Sequence, residues 1–345
     1  AISNLSKNKQ GKYWELYNYA VGDQGLTEPG STFKLASMIA LLEDSQVKLS
    51  DSIDTGKGTY EFYNAVMRDH KRGGYGTISV AETFSKSSNI GVSRLINDHF
   101  GLKPETFVSY LNTMGLTEPL GFQMRGAGAP YIKNPDNKSW SGITLPWMSI
   151  GYELKLTPLH TLTFYNAIAN GGTMVRPIIV KKIGKAGETW KEFNPTVLRE
   201  SVCSKATLDK VQHLLEMVVQ DGTASNIRDS DYGIAGKTGT AQKVKAGGGY
   251  ERAYYTSFAG YFPSEAPKYS CIVIIDNPKG YNHYGSDVAA PVFKEIADNI
   301  YSRDSDMHQM FDPTYTAEIG VFPVIRSGQL RDLQLICNEL GVSNH

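Results

Sequence analysis

The chain has 345 residues, and its 35 Lys and Arg balance 35 Asp and Glu, so the formal charge is zero. A neutral balance argues against a nucleic-acid binder, which needs a basic face, and against a polybasic membrane-surface protein. With 41% hydrophobic and 11% aromatic residues the chain can bury a sizeable core of one large domain or two ordinary ones. No stretch reaches the ~18 apolar residues of a membrane span. Residues 1–11 are polar and lack the apolar centre of a signal peptide, so a soluble piece is expected.

The first strong element follows Pro29-Gly30. Phe33, Leu35, Met38, Ile39, Leu41 and Leu42 recur at helical spacing, which predicts a buried helix beginning near Ser31 and capped by the Gly-Ser step. Helical patterning returns over Ser79–Asn97, interrupted at Ser87-Ser88-Asn89. Helices are also predicted over Leu156–Ala169, stopped by Asn170-Gly171-Gly172, and over Ser204–Val219. The period then changes. Residues 233–242 read as extended, Tyr254–Tyr261 alternates, Tyr269–Asp276 reads as a buried strand, and Ser286–Tyr301 closes as a helix. Helices followed by adjacent strands, without βαβ alternation, predict an α+β fold with an antiparallel sheet covered by helices.

Cys203, Cys271 and Cys337 cannot pair completely, and Cys271 within its strand reads as a small core residue. No Cys pair stands at ligand spacing and no His-Glu-x-x-His occurs, so neither a metal site nor a cofactor is implied.

Three short motifs occur in order: Ser31-Thr-Phe-Lys34, Ser87-Ser-Asn89 and Lys237-Thr-Gly239. Ser-x-x-Lys recurs at Ser6–Lys9 and Ser45–Lys48, so the motif alone carries little. Only the Ser31 copy opens a buried helix, where residues three apart share a face and a desolvated lysine can sit beside a hydroxyl. A serine needs a base within reach to become a nucleophile, and lysine serves if burial or a second cation lowers its pKa. The rival reading is a capping serine and a snorkelling lysine. Ser87 can relay a proton and Asn89 can hold a substrate amide, although turn polarity alone would explain both. On the extended third segment Gly236 and Gly239 allow close backbone approach, and an exposed edge can pair with an extended peptide. There Lys237 supplies a cation, Thr238 and Thr240 supply hydroxyls for a carboxylate, and the Thr240 and Ser31 N–H groups can form an oxyanion hole. A phosphate loop is excluded by the order of the residues around Lys237.

Taken jointly the motifs resemble those of penicillin-binding transpeptidases and serine β-lactamases. Ser31 to Ser87 spans 56 residues and Ser87 to Lys237 spans 150, as in the larger members. Glu28-Pro-Gly-Ser-Thr-Phe-Lys34, Met148-Ser-Ile-Gly-Tyr152 and Ala235-Gly-Lys-Thr-Gly-Thr-Ala-Gln242 resemble the class B penicillin-binding proteins. The resemblance implies that Ser31 attacks the penultimate carbonyl of a D-Ala-D-Ala stem peptide and that a neighbouring stem peptide's amine takes the acyl group. β-Lactams would acylate the same serine. It implies Lys34, Ser87, Asn89 and Lys237 as catalytic, with Thr238, Gly239 and Thr240 against the substrate and Tyr254, His283 and Tyr284 as cleft aromatics. The implied rivals are a D,D-carboxypeptidase or β-lactamase, if water reaches the acyl-enzyme, and a non-catalytic β-lactam or muropeptide sensor. Full-length members carry a membrane anchor and a pedestal before this domain, so the resemblance places the catalytic part on the extracytoplasmic side and implies partners among cell-wall synthesis and division proteins. The expected organisation is a transpeptidase domain over 1–303, a linker over 304–318 and a partial PASTA-like segment over 319–345 that carries Phe322-Pro-Val-Ile-Arg326.

Overall fold

In the computed structural model the described residues are 6–7, 9–14, 17–185, 187–244, 250–279 and 283–307. The chain divides into two units, Ala1–Arg303 and Asp304–His345. Of the second unit only residues 304–307 are described, with a 3-10 turn over Ser305–Met307. The segment expected at 319–345, and Cys337 within it, lie outside the described residues.

The helices of the first unit are α1 Lys34–Asp44, α2 Val80–Ser85, α3 Asn89–Phe100, α4 Pro104–Thr113, α5 Thr144–Met148, α6 Pro158–Ala169, α7 Lys205–Gln220, α8 Gly285–Val288 and α9 Ala290–Tyr301. Every residue of α1 from Lys34 to Leu42 is buried, so apolar side chains on all sides make it the central helix of the core. Its start departs from expectation. A 3-10 turn over Gly30–Phe33 precedes it, and neither this turn nor α1 has a side-chain cap. The turn is held by tertiary partners instead: the Gly30 N–H donates to Gly151 O at 3.1 Å, and the Tyr165 hydroxyl donates to Thr32 O at 2.8 Å.

The pattern over 79–97 resolves into two helices. Ser79 and Glu82 form a reciprocal capping box for α2, and the Ser88 hydroxyl accepts from Gly91 N at the start of α3. Between them Ser87 takes a left-handed backbone, φ 56°, a conformation that costs a non-glycine residue roughly 1–2 kcal/mol.

Three antiparallel strands, β3 Ala235–Val244, β4 Tyr250–Phe262 and β5 Tyr269–Asp276, form a sheet in the order β3-β4-β5. A short hairpin, β1 Thr59–Phe62 and β2 Ala65–Arg68, stands apart from it. Strand alternation gives the sheet two faces. Tyr255, Ser257, Ile272 and Ile274 line one face with Pro158 and Thr161 of α6. Phe258 and Phe262 point the other way and meet Phe293 of α9 at centroid distances of 4.7 and 5.8 Å. The expected α+β arrangement, a sheet covered by helices, is thus the one observed. β5 corrects one detail: as an edge strand it is half-buried, with only Val273 fully inside, and Cys271 is likewise half-buried.

Candidate active site

Ser31 is half-buried on the 3-10 turn that feeds α1. Strand β3 lies directly against this turn. A Cβ at Gly239 would stand 2.4 Å from Ser257 Oγ and 3.0 Å from Thr32 Cγ2, so only glycine lets the strand come this near. Gly30, at φ 58°, likewise faces Ala241 on β3. The first and third motifs therefore meet through backbone contact.

Lys34 joins the first motif to the second. Its side chain is fully buried, and Nζ donates to Ser87 O at 2.7 Å, Ser87 Oγ at 3.2 Å and Asn89 Oδ1 at 2.8 Å. Burial lowers its pKa to about 7, a shift that the charge of Asp69 opposes. The Ser45–Lys48 copy of the motif has no such environment, since Lys48 is exposed and the Ser45 hydroxyl bonds back to Leu41 O.

The Asn89 amide is held at both ends, its Nδ2 donating to Arg68 O at 2.9 Å. Its second Nδ2 hydrogen has no partner among the described residues. The turn that carries Ser87 and Asn89 is gripped by a residue that sequence reasoning missed. Asp69, immediately after β2, is buried. It accepts from Ser88 Oγ at 2.9 and 3.1 Å, from Asn89 N at 2.7 Å and from Ile90 N at 3.1 Å.

Lys237 on β3 is also fully buried. Its Nζ stands 5.7 Å from the Phe84 ring centroid and donates to Thr238 O at 3.2 Å. Burial pushes its pKa well below the ordinary lysine value, and the Lys34 charge pushes the same way. Thr238 shares a 2.7 Å hydrogen bond with Thr223, and Thr240 Oγ1 accepts from Gly285 N at 3.1 Å, which leaves the Thr240 hydrogen free to donate.

The three expected aromatics come together as a ladder. The Tyr254 and His283 rings stack at 4.0 Å with an interplanar angle of 20°, and His283 and Tyr284 lie at 4.5 Å. The ladder continues to residues not anticipated from sequence, with Tyr284 to His70 at 6.3 Å and His70 to Tyr75 at 5.9 Å. The Tyr75 hydroxyl donates to Lys86 O at 3.1 Å and lies 3.1 Å from His70 Nε2. Partial desolvation, then Lys34 and Lys237, lower the His70 pKa. Five rings thus run from the helical side of the cleft to the sheet side.

The penicillin-binding protein transpeptidase domain matches residues 1–298. Stage V sporulation protein D of Bacillus subtilis is 32% identical over 285 residues, covering 81% of this chain and 43% of that protein. Peptidoglycan D,D-transpeptidase FtsI of Escherichia coli K12 is 29% identical over 270 residues, covering 78% of this chain and 42% of that protein. The chain therefore spans about two fifths of the length of these relatives. Among solved structures, penicillin-binding protein 3 of Mycobacterium tuberculosis in complex with ampicillin superimposes with a TM-score of 0.74 at 29% identity, over 87% of this chain and 67% of the other. Its apo form gives 0.73 at 30% identity, over 84% and 65%. With the three motifs converging on one cleft and these likenesses covering nearly the whole first unit, the chain belongs to the penicillin-binding protein transpeptidase family, in its class B branch.

Proposed function

We propose that this chain is the catalytic domain of a peptidoglycan D,D-transpeptidase, with Ser31 as nucleophile and Lys34 as base. The observation that carries the proposal is Lys34 itself, buried one turn after Ser31 with its amine held by Ser87 and Asn89. With a pKa of about 7 a large share of Lys34 is the free amine at neutral pH. A neutral amine keeps two donors on Ser87 O and Asn89 Oδ1, and its lone pair is left for a hydroxyl proton.

In acylation Ser31 Oγ attacks the penultimate D-Ala carbonyl while its proton passes to Lys34. The N–H groups of Ser31 and Thr240 receive the developing oxyanion. The tetrahedral intermediate expels the terminal D-Ala, whose nitrogen takes the proton back from Lys34 through Ser87. The acceptor amine then attacks the ester, loses its proton to Lys34, and Ser31 leaves with that proton restored. Lys237, with Thr238 and Thr240, binds the terminal carboxylate. A carboxylate restores the charged form of Lys237 that burial disfavours. Gly239 lets the substrate's extended backbone lie along β3, and Tyr254, His283 and Tyr284 flank it.

β-Lactams react at the same serine and are released slowly. Both Asp69 oxygens accept hydrogen bonds from the Ser88 hydroxyl or the first N–H groups of α3, so that carboxylate is committed to the turn, and Glu28, the nearest carboxyl in sequence, accepts from Glu153 N through one oxygen while the other is buried without a partner among the described residues. The parent protein is read as anchored in a bacterial membrane with this domain extracytoplasmic, working with other cell-wall synthesis and division proteins. No helix among the described residues is long and apolar enough to cross a membrane.

Intact-protein mass spectrometry after penicillin treatment tests the assignment. The wild type should carry one penicilloyl adduct and Ser31→Ala none. An adduct on Ser31→Ala would place the nucleophile elsewhere.

A further inference from the structure

We propose that Asp69 is a positioning residue for acylation, its carboxylate holding the Ser87–Asn89 turn in the shape that cradles the Lys34 amine. The inference rests on the reading of Ser31 and Lys34 as the acylating pair.

Asp69 lies outside all three motifs, yet it is the anchor of the second. Its carboxylate meets the Ser88 hydroxyl through both oxygens and the first two N–H groups of α3 through one, and its own N–H donates to Gly58 O at 3.1 Å. Helix α3 has twelve residues, so its free N–H groups and positive end favour an anion there. A buried carboxylate is tolerated when it is this fully hydrogen-bonded.

The turn so gripped has a conformation that it would not hold alone. Ser87 sits at φ 56°, and the three oxygens that face Lys34 Nζ all come from Ser87 and Asn89. Strained backbone of this kind persists only where its surroundings over-determine it. Asp69 supplies that constraint, because Ser88 and the Asn89 N–H, which flank the cradle, both bond to it.

Asp69 also acts through its charge. The titratable groups that face Lys34 are Asp69 and His70 from the segment after β2, and Lys237 from β3. The α2–α3 turn contributes only Ser87 and Asn89, which do not titrate. Of these groups Asp69 alone favours the ammonium, so it keeps Lys34 able to receive the Ser31 proton.

The test is the pH profile of the acylation rate constant with a fluorescent penicillin, for wild type, Asp69→Asn and Ser88→Ala. Asp69→Asn keeps the shape but loses the charge. Its rate should fall by about 10- to 100-fold, and its acid limb should move to lower pH, because Lys34 loses the carboxylate that favours protonation. Ser88→Ala removes one donor and keeps the charge, so its rate should fall less and its limb should stay at the wild-type position. An unmoved limb in Asp69→Asn, with or without a rate loss, overturns the proposal. If Asp69→Asn shows no cooperative melting transition, Ser88→Ala decides, and an unchanged rate there overturns it. Ser31→Ala run alongside separates the readings: labelling of that variant would sink the assignment of the acylating pair, whereas failure of Asp69→Asn alone leaves it standing.

Discussion

Two lysines without exposed surface stand close enough for the charge of Lys34 to act on Lys237, and their surroundings differ. Lys34 has three oxygens around its amine and a carboxylate nearby, whereas Lys237 has the face of Phe84 and one carbonyl. Both are desolvated, so both lose part of their preference for the charged form. Only Lys34 has enough acceptors to hold either protonation state, with a pKa of about 7. Among the described residues no carboxylate pairs with Lys237, so on the proposed reading it gains most when a substrate brings one. On the same reading one lysine exchanges a proton and the other waits for an anion.

Substitutions can break this contrast. The largest effect belongs to Lys34→Ala, which removes the base and should slow penicilloylation by about 10²- to 10⁴-fold, read by mass spectrometry against time. An unchanged rate would move the base role to another group. Lys237→Ala should cost less, about 10- to 100-fold, and the loss should be greatest for ligands that carry the carboxylate. Equal losses for a carboxylate and its ester analogue would contradict the anchoring role. Tyr254→Ala removes the ring stacked on His283, and at about 0.5–1.5 kcal/mol for such a pair binding should weaken several-fold with the acid limb unmoved. A shifted limb would mean that the ladder reaches the proton chemistry as well.

The elements that the sequence made legible are those with a strong period of their own. Helix α1 and strands β4 and β5 announce themselves through Leu35 to Leu42 and through the alternating and β-branched runs. The three motifs were legible only jointly, because Ser31, Ser87 and Lys237 are each weak alone and become specific through their order, spacing and flanking residues. The start of α1 was misread, since the Gly-Ser step looks like a local cap while the turn is actually held by Gly151 and Tyr165, more than a hundred residues away. Asp69 and His70 were invisible for the same reason. Nothing near Asp69 signals that the chain will return it to the first turn of a helix about twenty residues later, and His70, which stays exposed in the fold, gains its place in the ladder only through its contacts with Tyr284 and Tyr75. Periodicity reveals what a segment does alone, and these residues act only through partners brought by the fold.

The central claim is that Ser31 is activated by a lysine tuned to neutrality, and the wild-type acylation rate measured from about pH 5 to about pH 9 tests it most directly. The account predicts a rate that rises with pH through a midpoint near 7 as the Lys34 amine loses its proton. A rate flat across that range, or a midpoint near the ordinary lysine value of about 10.4, would contradict it.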